Sequence, residues 1–420
     1  MRTIAFLVSR SLRQHALSTA VTAGAAALAC GLVLAVFSVT AQARDAFVRD
    51  PGFDAVLGAK GSQLQLVLNS VFHLETSPGN IPWTLYEEFR DDPRVEVAVP
   101  YAVGDNYRGF RIVGTTPELF EVEYAKGRRY AIAKDGQGRP RGRLFKPENQ
   151  EAVLGSYAAE ATGLDLNRKF HPTHGTGEEG HEHEDEYNVV GILAPTNTPA
   201  DRVIWIPIDG IYHMDGHVLR GTGEEHEPAP GEEIEDEHKE VSAVMLRFKG
   251  EAAGFALQIK ARESEIATLA WPIATVMQDL FGKLFWFVRI LEVTSYLVVG
   301  VSLAGILASL YNTMNERRRE FAILRALGAR RTTVFAAVVS EAAAIACAGA
   351  LAGYLVYAGV LAAAAYTIRA QTGVVLDAFA YHPVLWAAPA AVVALGAVEG
   401  LLPAAKAYRT DVAGNLAPTS

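Results

Sequence analysis

The sequence predicts a membrane protein: four transmembrane α-helices with a large α/β domain inserted between the first and the second. Three observations predict it. Long uncharged runs recur at four places: from Gln14 up to Arg44, from Val293 to Asn315, from Thr332 to Ile368 broken only by Glu341, and from Ala378 to Ala405 broken only by Glu399. Each exceeds the ~20 residues that carry a helix across ~30 Å of hydrocarbon. The text between the first two runs alternates short apolar strands with helical patches, as in a water-soluble domain. Arginines and lysines are concentrated on one side of the runs.

That asymmetry sets the expected orientation, because short cytoplasmic segments hold the excess of basic residues. Arg2, Arg10 and Arg13 precede the first run, Arg317, Arg318, Arg319, Arg325, Arg330 and Arg331 lie between the second and third, and Lys406 and Arg409 follow the fourth. Both termini are therefore expected in the cytoplasm, and in a bacterium the inserted domain faces the periplasm from the inner membrane. The segments are a cytoplasmic N-terminus at 1–15, membrane helices at 16–42, 284–314 (with the end of a stalk), 332–367 and 383–405, and the outer domain at 43–283. A cytoplasmic helix at 315–331, an outer loop at 368–382 and a cytoplasmic C-terminus at 406–420 complete the chain. Ala41, Gln42 and Ala43 spell a signal-peptidase pattern. The apolar core before them is longer than a cleavable signal's ~7–15 residues, so the first helix is expected to stay.

Cys30 and Cys347 both fall inside membrane runs, so the outer domain has no disulfide and must rely on its own core. FDAVLGAKG reads as a strand and turn, and IPWTLYEEFRDDP as a helix opened by Pro82 and closed before Pro93. The text from Val95 to Phe120 reads as paired strands with turns at Gly104–Asn106 and Gly114–Pro117. YNVVGIL, RVIWIPI and AVMLRFKG read as strands. The helix begun at EAAGFALQIKARESEI is expected to continue through Trp271 and Gln278 towards the second membrane helix. Trp271, Trp286, Trp386 and Tyr381 read as interfacial belt residues. Glu341 and Glu399 are costly in lipid and are expected to snorkel or to pair with nearby arginines.

Asn315–Phe335, NERRREFAILRALGARRTTVF, places Phe321, Leu324 and Leu327 at helical spacing, with Ile323 fitting less well and Gly328 at the end. It predicts a short amphipathic helix outside the membrane. Glu320, Ala322, Arg325, Ala326, Gly328 and Ala329 match the E-x-G/A-x-x-R/K-A-x-G-A text of one family, and Pro403, Ala404, Ala405, Ala407 and Leu416 match its C-terminal text. With this topology the chain resembles the FtsX/MacB family of ABC permeases, the mechanotransmission or type VII class. EAVLGSYAAEATGLDLNRKF and VVGILAPTNTPADRVIWIPI resemble its periplasmic core domain. No G-x-x-x-x-G-K-[ST] phosphate loop occurs, so the resemblance is to split members such as FtsX, LolC and LolE.

The resemblance implies a permease without an ATPase of its own, dimeric with a second copy or a paralogue, and served by a separate ABC ATPase subunit that binds ATP and Mg²⁺. The ATPase-coupling residues would be Glu316, Arg317, Arg319, Glu320, Phe321, Ala322, Leu324, Arg325, Ala326, Leu327, Gly328 and Ala329. Closure of the ATPases would tilt the second helix and move the outer domains, without a substrate passing between the helices. Precedents within the class run from lipoprotein release and efflux to control of cell-wall hydrolases, so a periplasmic protein partner is expected. A non-transporting signalling module is the competing reading, and a membrane-anchored metal-binding protein without an ATPase is a third. Membrane lipid is the other partner, and nothing points to nucleic acid or to catalysis.

Two tracts stand apart, His171–Glu186 and His213–Glu240. Residues 171–240 hold 18 acidic and 3 basic side chains against a formal charge of −9 for the whole chain, so acidity is local to this region. Eight of the eleven histidines fall here: His171, His174, His181, His183, His213, His217, His226 and His238. Imidazole and carboxylate together suit zinc. The spacings His171/His174 and His213/His217 allow two rings on one ion. A solvated tract that binds metals weakly or not at all has the same composition, so the pattern leaves both readings open.

Overall fold

The computed structural model describes residues 2–48, 52–175, 182–214, 217–218, 225–226, 234–378 and 380–408. Among the described residues, four helices are long and apolar enough to cross a membrane, within 16–46, 273–316, 331–372 and 384–406. The chain divides into a membrane unit (1–43, 284–366 and 376–420) and an outer unit (44–283 and 367–375).

In the outer unit a ten-stranded mixed sheet has the order β10-β1-β9-β2-β3-β8-β4-β7-β5, with β6 paired to β2. The strands are β1 Ala55–Ala59, β2 Val95–Tyr107, β3 Phe110–Thr115, β4 Glu151–Leu154 and β5 Lys169–Phe170. They continue with β6 Thr173–His174, β7 Tyr187–Ile192, β8 Ile204–Pro207, β9 Ala243–Phe248 and β10 Ala267–Ala270. Successive strand residues face opposite sides, so a sheet covered on both faces needs apolar residues at consecutive positions. Strand β1 shows this: Ala55 and Leu57 enter one core and Val56 the other. One face is covered by the helices Trp83–Arg90, Ser156–Thr162, Ile208–Tyr212 and Glu251–Glu263, through Phe89, Ala158, Ile211 and Leu257. The other face is covered by the helix Gln63–Ser70, through Leu66 and Val67, and by Ile273 and Met277.

Two expectations for this unit fail, each for a local reason. The helix expected to run through Trp271 ends at Glu263, and strand β10 intervenes before a new helix begins at Ile273. An apolar run of four residues carries no periodicity that separates a strand from a helical turn. Trp271 is consequently no belt residue; its ring lies 4.7 Å from Phe255 on the preceding helix. Trp286, Trp386 and Tyr381 are exposed. The expected turn at Gly104–Asn106 is instead a β-bulge within β2, since the pairing steps from Val103↔Val113 to Asn106↔Arg111. The chain reverses at Arg108 and Gly109, both at positive φ.

In the membrane unit, the amphipathic helix Arg2–Gln14 precedes the first membrane helix, Ala16–Val48. The second membrane helix, Ile273–Glu316, is 44 residues long, and its opening turns belong to the outer unit's core. The third, Arg331–Thr372, extends beyond the expected end near 367. Its last turn belongs to the outer unit, where Arg369 pairs with Glu160 at 2.6 Å. The fourth is split into Val384–Glu399 and Leu401–Tyr408. Small residues let the first and third helices approach closely: a Cβ on Gly353 would meet Cys30 Cβ at 2.9 Å, and one on Gly31 would meet Val356 Cβ at 2.5 Å. Gly353→Leu should therefore lower stability by ~1–3 kcal/mol through overpacking. Thermal unfolding of the full chain in detergent measures this, and an unchanged Tm would contradict the crossing.

His73 is buried against Trp205, ring centroids 5.8 Å apart, with a positive φ of 55°. Burial first, then the charges of Arg111 and Arg202, push its imidazole down to about 3. An unfolded chain takes up this proton near pH 6.5, so stability is highest above that pH and falls as pH drops towards 3, by at most ~1.4 kcal/mol per pH unit. His73→Asn, a residue tolerant of positive φ, should flatten the decline between pH 6.5 and 4 in urea titrations. Equal slopes for the two proteins would remove His73 as its source.

Candidate functional site

Two clusters gather the residues singled out by sequence, one in each unit. In the membrane unit the segment after the second membrane helix forms the coupling-helix candidate Arg318–Ala326, begun by Arg317. Its C-terminus explains the Gly-Ala text. Gly328 adopts φ 97°, Gly328 N–H donates to Arg325 O and Ala329 N–H to Leu324 O, the paired bonds of a Schellman motif. A side chain at Gly328 would be strained there.

The candidate coupling residues separate into two faces. Arg317, Phe321 and Ala322 are buried, Leu324, Arg325 and Ala329 are half-buried, and Glu316, Arg319, Glu320, Ala326, Leu327 and Gly328 are exposed. Phe321 packs with Met314, Val334, Val338 and Ala404. Arg317 Nη1 donates to Glu341 Oε2 at 3.3 Å and to Ser11 Oγ, while Ser11 Oγ donates to Glu341 Oε1. Arg317 Nε also reaches Glu320 Oε2 at 3.1 Å. Four segments thus meet at one buried charge pair: the N-terminal helix, the end of the second membrane helix, the coupling-helix candidate and the third membrane helix. Glu341 finds an arginine, as expected; Ser11 had no signal beyond the helical spacing of Ile4, Leu7, Val8 and Ser11. Glu399 forms no such pair, and its Oε2 is buried without a hydrogen-bond partner among the described residues.

In the outer unit the histidines divide in the same way. His174 stands opposite Asp105 across the β6/β2 pairing, and Thr173 pairs onward with Glu182, which brings His183 alongside. His174 Nδ1 and His183 Nε2 each lie 3.2 Å from Asp105 Oδ1. Side-chain exposure is 58% for His174, 4% for His183 and 0% for Asp105. The bulge at 104–105 is what aims Asp105 here. Sequence reasoning missed Asp105 because G-D-N reads as turn text; the true reversal at Arg108–Gly109, flanked by Tyr107 and Phe110, was the available signal. Asp105 also lines a cavity of about 400 Å³ with His73, Arg111 and Arg202.

Of the other candidate histidines, those whose side chains are described do not join. His171 is turned to the Asp185 carbonyl, 3.1 Å from Nδ1, and the His171/His174 pairing that the spacing allows is absent from the groups found among the described residues. His213 Nδ1 donates to Asp209 O within its own helix at 2.7 Å. His217 and His226 pair by backbone in a two-residue ladder, and His181 lies outside the described residues. His238 sits beside Glu235 and Glu237 in a group open to solvent.

Comparison with known proteins matches the family model described as MacB-like periplasmic core domain to residues 19–258, and that described as FtsX-like permease C-terminal to residues 292–412. The chain belongs to the FtsX/MacB-like ABC transporter permeases, membrane proteins with a periplasmic core domain. Among solved structures, it is similar to the periplasmic region of MacB from Actinobacillus actinomycetemcomitans, with 11% identity over 55% of this chain and 94% of that one, TM-score 0.34. It is also similar to the extracellular domain of the noncanonic ABC-type transporter YknZ from Gram-positive bacteria, with 12% identity over 51% and 97%, TM-score 0.29. No curated protein sequence matches.

Removing the cation from the buried pair should cost ~3–5 kcal/mol, because Glu341 is left uncompensated. Arg317→Ala should therefore unfold well below the wild type in detergent, whereas Arg317→Met combined with Glu341→Leu should recover most of the loss. An Arg317→Ala protein with the wild-type Tm would mean that water already solvates the pair.

Proposed function

We propose that this permease converts ATP hydrolysis by a separate ATPase subunit into movement of its periplasmic domain, working as a dimer with both termini in the cytoplasm. The observation that carries this reading is the two-faced helix Arg318–Ala326. Its inner face is anchored by Arg317, Phe321 and Ala322, and its outer face leaves Leu327 80% and Ile323 43% exposed among Arg319, Glu320 and Arg330. Exposed apolar side chains ringed by charge are the surface a protein partner covers. The arginine-rich flank supports a cytoplasmic location, where ATP is present.

Transmission follows from covalent continuity. The second membrane helix begins at Ile273 in the outer unit's core and ends at Glu316, one residue before Arg317. A push on the coupling helix bears on that helix directly, and also on the third membrane helix through Glu341. No conduit for a solute is required. A zinc link to this motion is supported by the histidines that share Asp105.

Leu327→Arg alters the outer face alone and should leave folding intact. The tagged permease, purified from its native membrane, should carry Mg²⁺-dependent ATP hydrolysis that falls at least ~10-fold in Leu327→Arg and in Gly328→Pro, since ~1.4 kcal/mol of lost docking energy already gives that factor. Equal ATP hydrolysis bound to all three proteins would rule out this helix as the ATPase contact.

A further inference from the structure

We infer that Asp105, His174 and His183 form a specific divalent metal site of the zinc class in the periplasmic domain. This deepens the zinc link proposed above and rests on no property of the ATPase. All three offered ligand atoms lie within 4.8 Å of one another. A tetrahedral ion with bonds of about 2.0–2.2 Å holds its donor atoms roughly 3.3–3.6 Å apart. The two nitrogen–oxygen separations of 3.2 Å fall just below that range, so both imidazoles must draw back slightly from Asp105 to admit an ion.

The donor chemistry selects the metal. Two imidazoles and one carboxylate suit Zn²⁺, whereas Mg²⁺ and Ca²⁺ take oxygen donors almost exclusively. Asp105 and His183 are buried, and a divalent ion supplies the positive charge that favours an ionised carboxylate there. His174 is more than half exposed, which gives the ion an entry path. Three protein donors leave one tetrahedral position for water or for a ligand group from a partner.

The positions of the donors give the site a mechanical consequence. Asp105 is on β2, the strand that pairs with β9, β3 and β6, while His174 and His183 stand on either side of residues 175–182. An ion held by all three fastens both ends of the histidine-rich insertion to the middle of the sheet. Among the described residues the other three-donor group, Glu235, Glu237 and His238, is open to solvent, so the site is expected to hold one ion more tightly than any other.

The test is calorimetric titration of Zn²⁺ into the full-length permease in nanodiscs, after chelator treatment, in millimolar Mg²⁺. The expected result is one ion per chain with a Kd of ~1 μM or tighter, weakened at least ~100-fold by loss of a ligand. His174→Gln removes an exposed donor without disturbing the core, and Asp105→Asn removes the buried one. His171→Gln and His238→Gln should bind as the wild type does. Unchanged binding in His174→Gln, several weak ions per chain, or no binding by the wild type would each overturn the site. Because the readout needs no ATPase, its failure leaves the coupling-helix reading standing, and loss of ATPase coupling in Leu327→Arg leaves zinc binding unaltered.

Discussion

The outer domain depends on β2. Thirteen residues long, this strand pairs with β9 and then β6 along one edge and with β3 along the other. Both faces of the sheet are covered by helices, so β2 must present apolar side chains alternately to two cores; Val99 and Tyr101 serve one, Val95 and Ala102 the other. A one-residue slip would exchange these faces, which makes the register strongly specified. The pairing steps out of that alternation near Val95–Val97 and again at 104–105, and the second bulge is where a carboxylate meets two histidines.

The membrane unit is organised by a polar contact placed where few are tolerated. Apolar packing along the bundle is permissive about rotation, because lipid is as apolar as the helix faces. An ion pair flanked by a serine is not permissive. Arg317, Glu341 and Ser11 satisfy one another only if the segments that carry them hold one mutual orientation, and that orientation presents Leu327 outward. Anchored inside and open outside, the helix between the second and third membrane spans can receive force without being pulled from its seat.

Both units therefore use the same device, a charged group buried at the junction of elements distant in sequence. In the outer unit the junction joins a strand to a histidine-rich insertion. In the membrane unit it joins a coupling helix to three other segments. Neither charge would be tolerated without partners supplied by tertiary structure.

Much of this was legible in the chain itself. Membrane spans are long apolar runs, a local property that no fold can hide, and the family follows from spaced residues such as Glu320, Arg325 and Gly328. Gly328 also announced its own helix end, since positive φ at a C-terminal cap favours glycine. Short strands were harder: β10 and the bulge in β2 were misread because four apolar residues, or a Gly-Asp-Asn, support more than one local conformation. What only the tertiary structure decided is which polar groups meet. Asp105 stands 69 and 78 residues from its two histidines, and Ser11 stands 330 from Glu341. Composition made the histidine-rich region conspicuous, but convergence of three donors is a property of strand pairing, which sequence spacing does not carry.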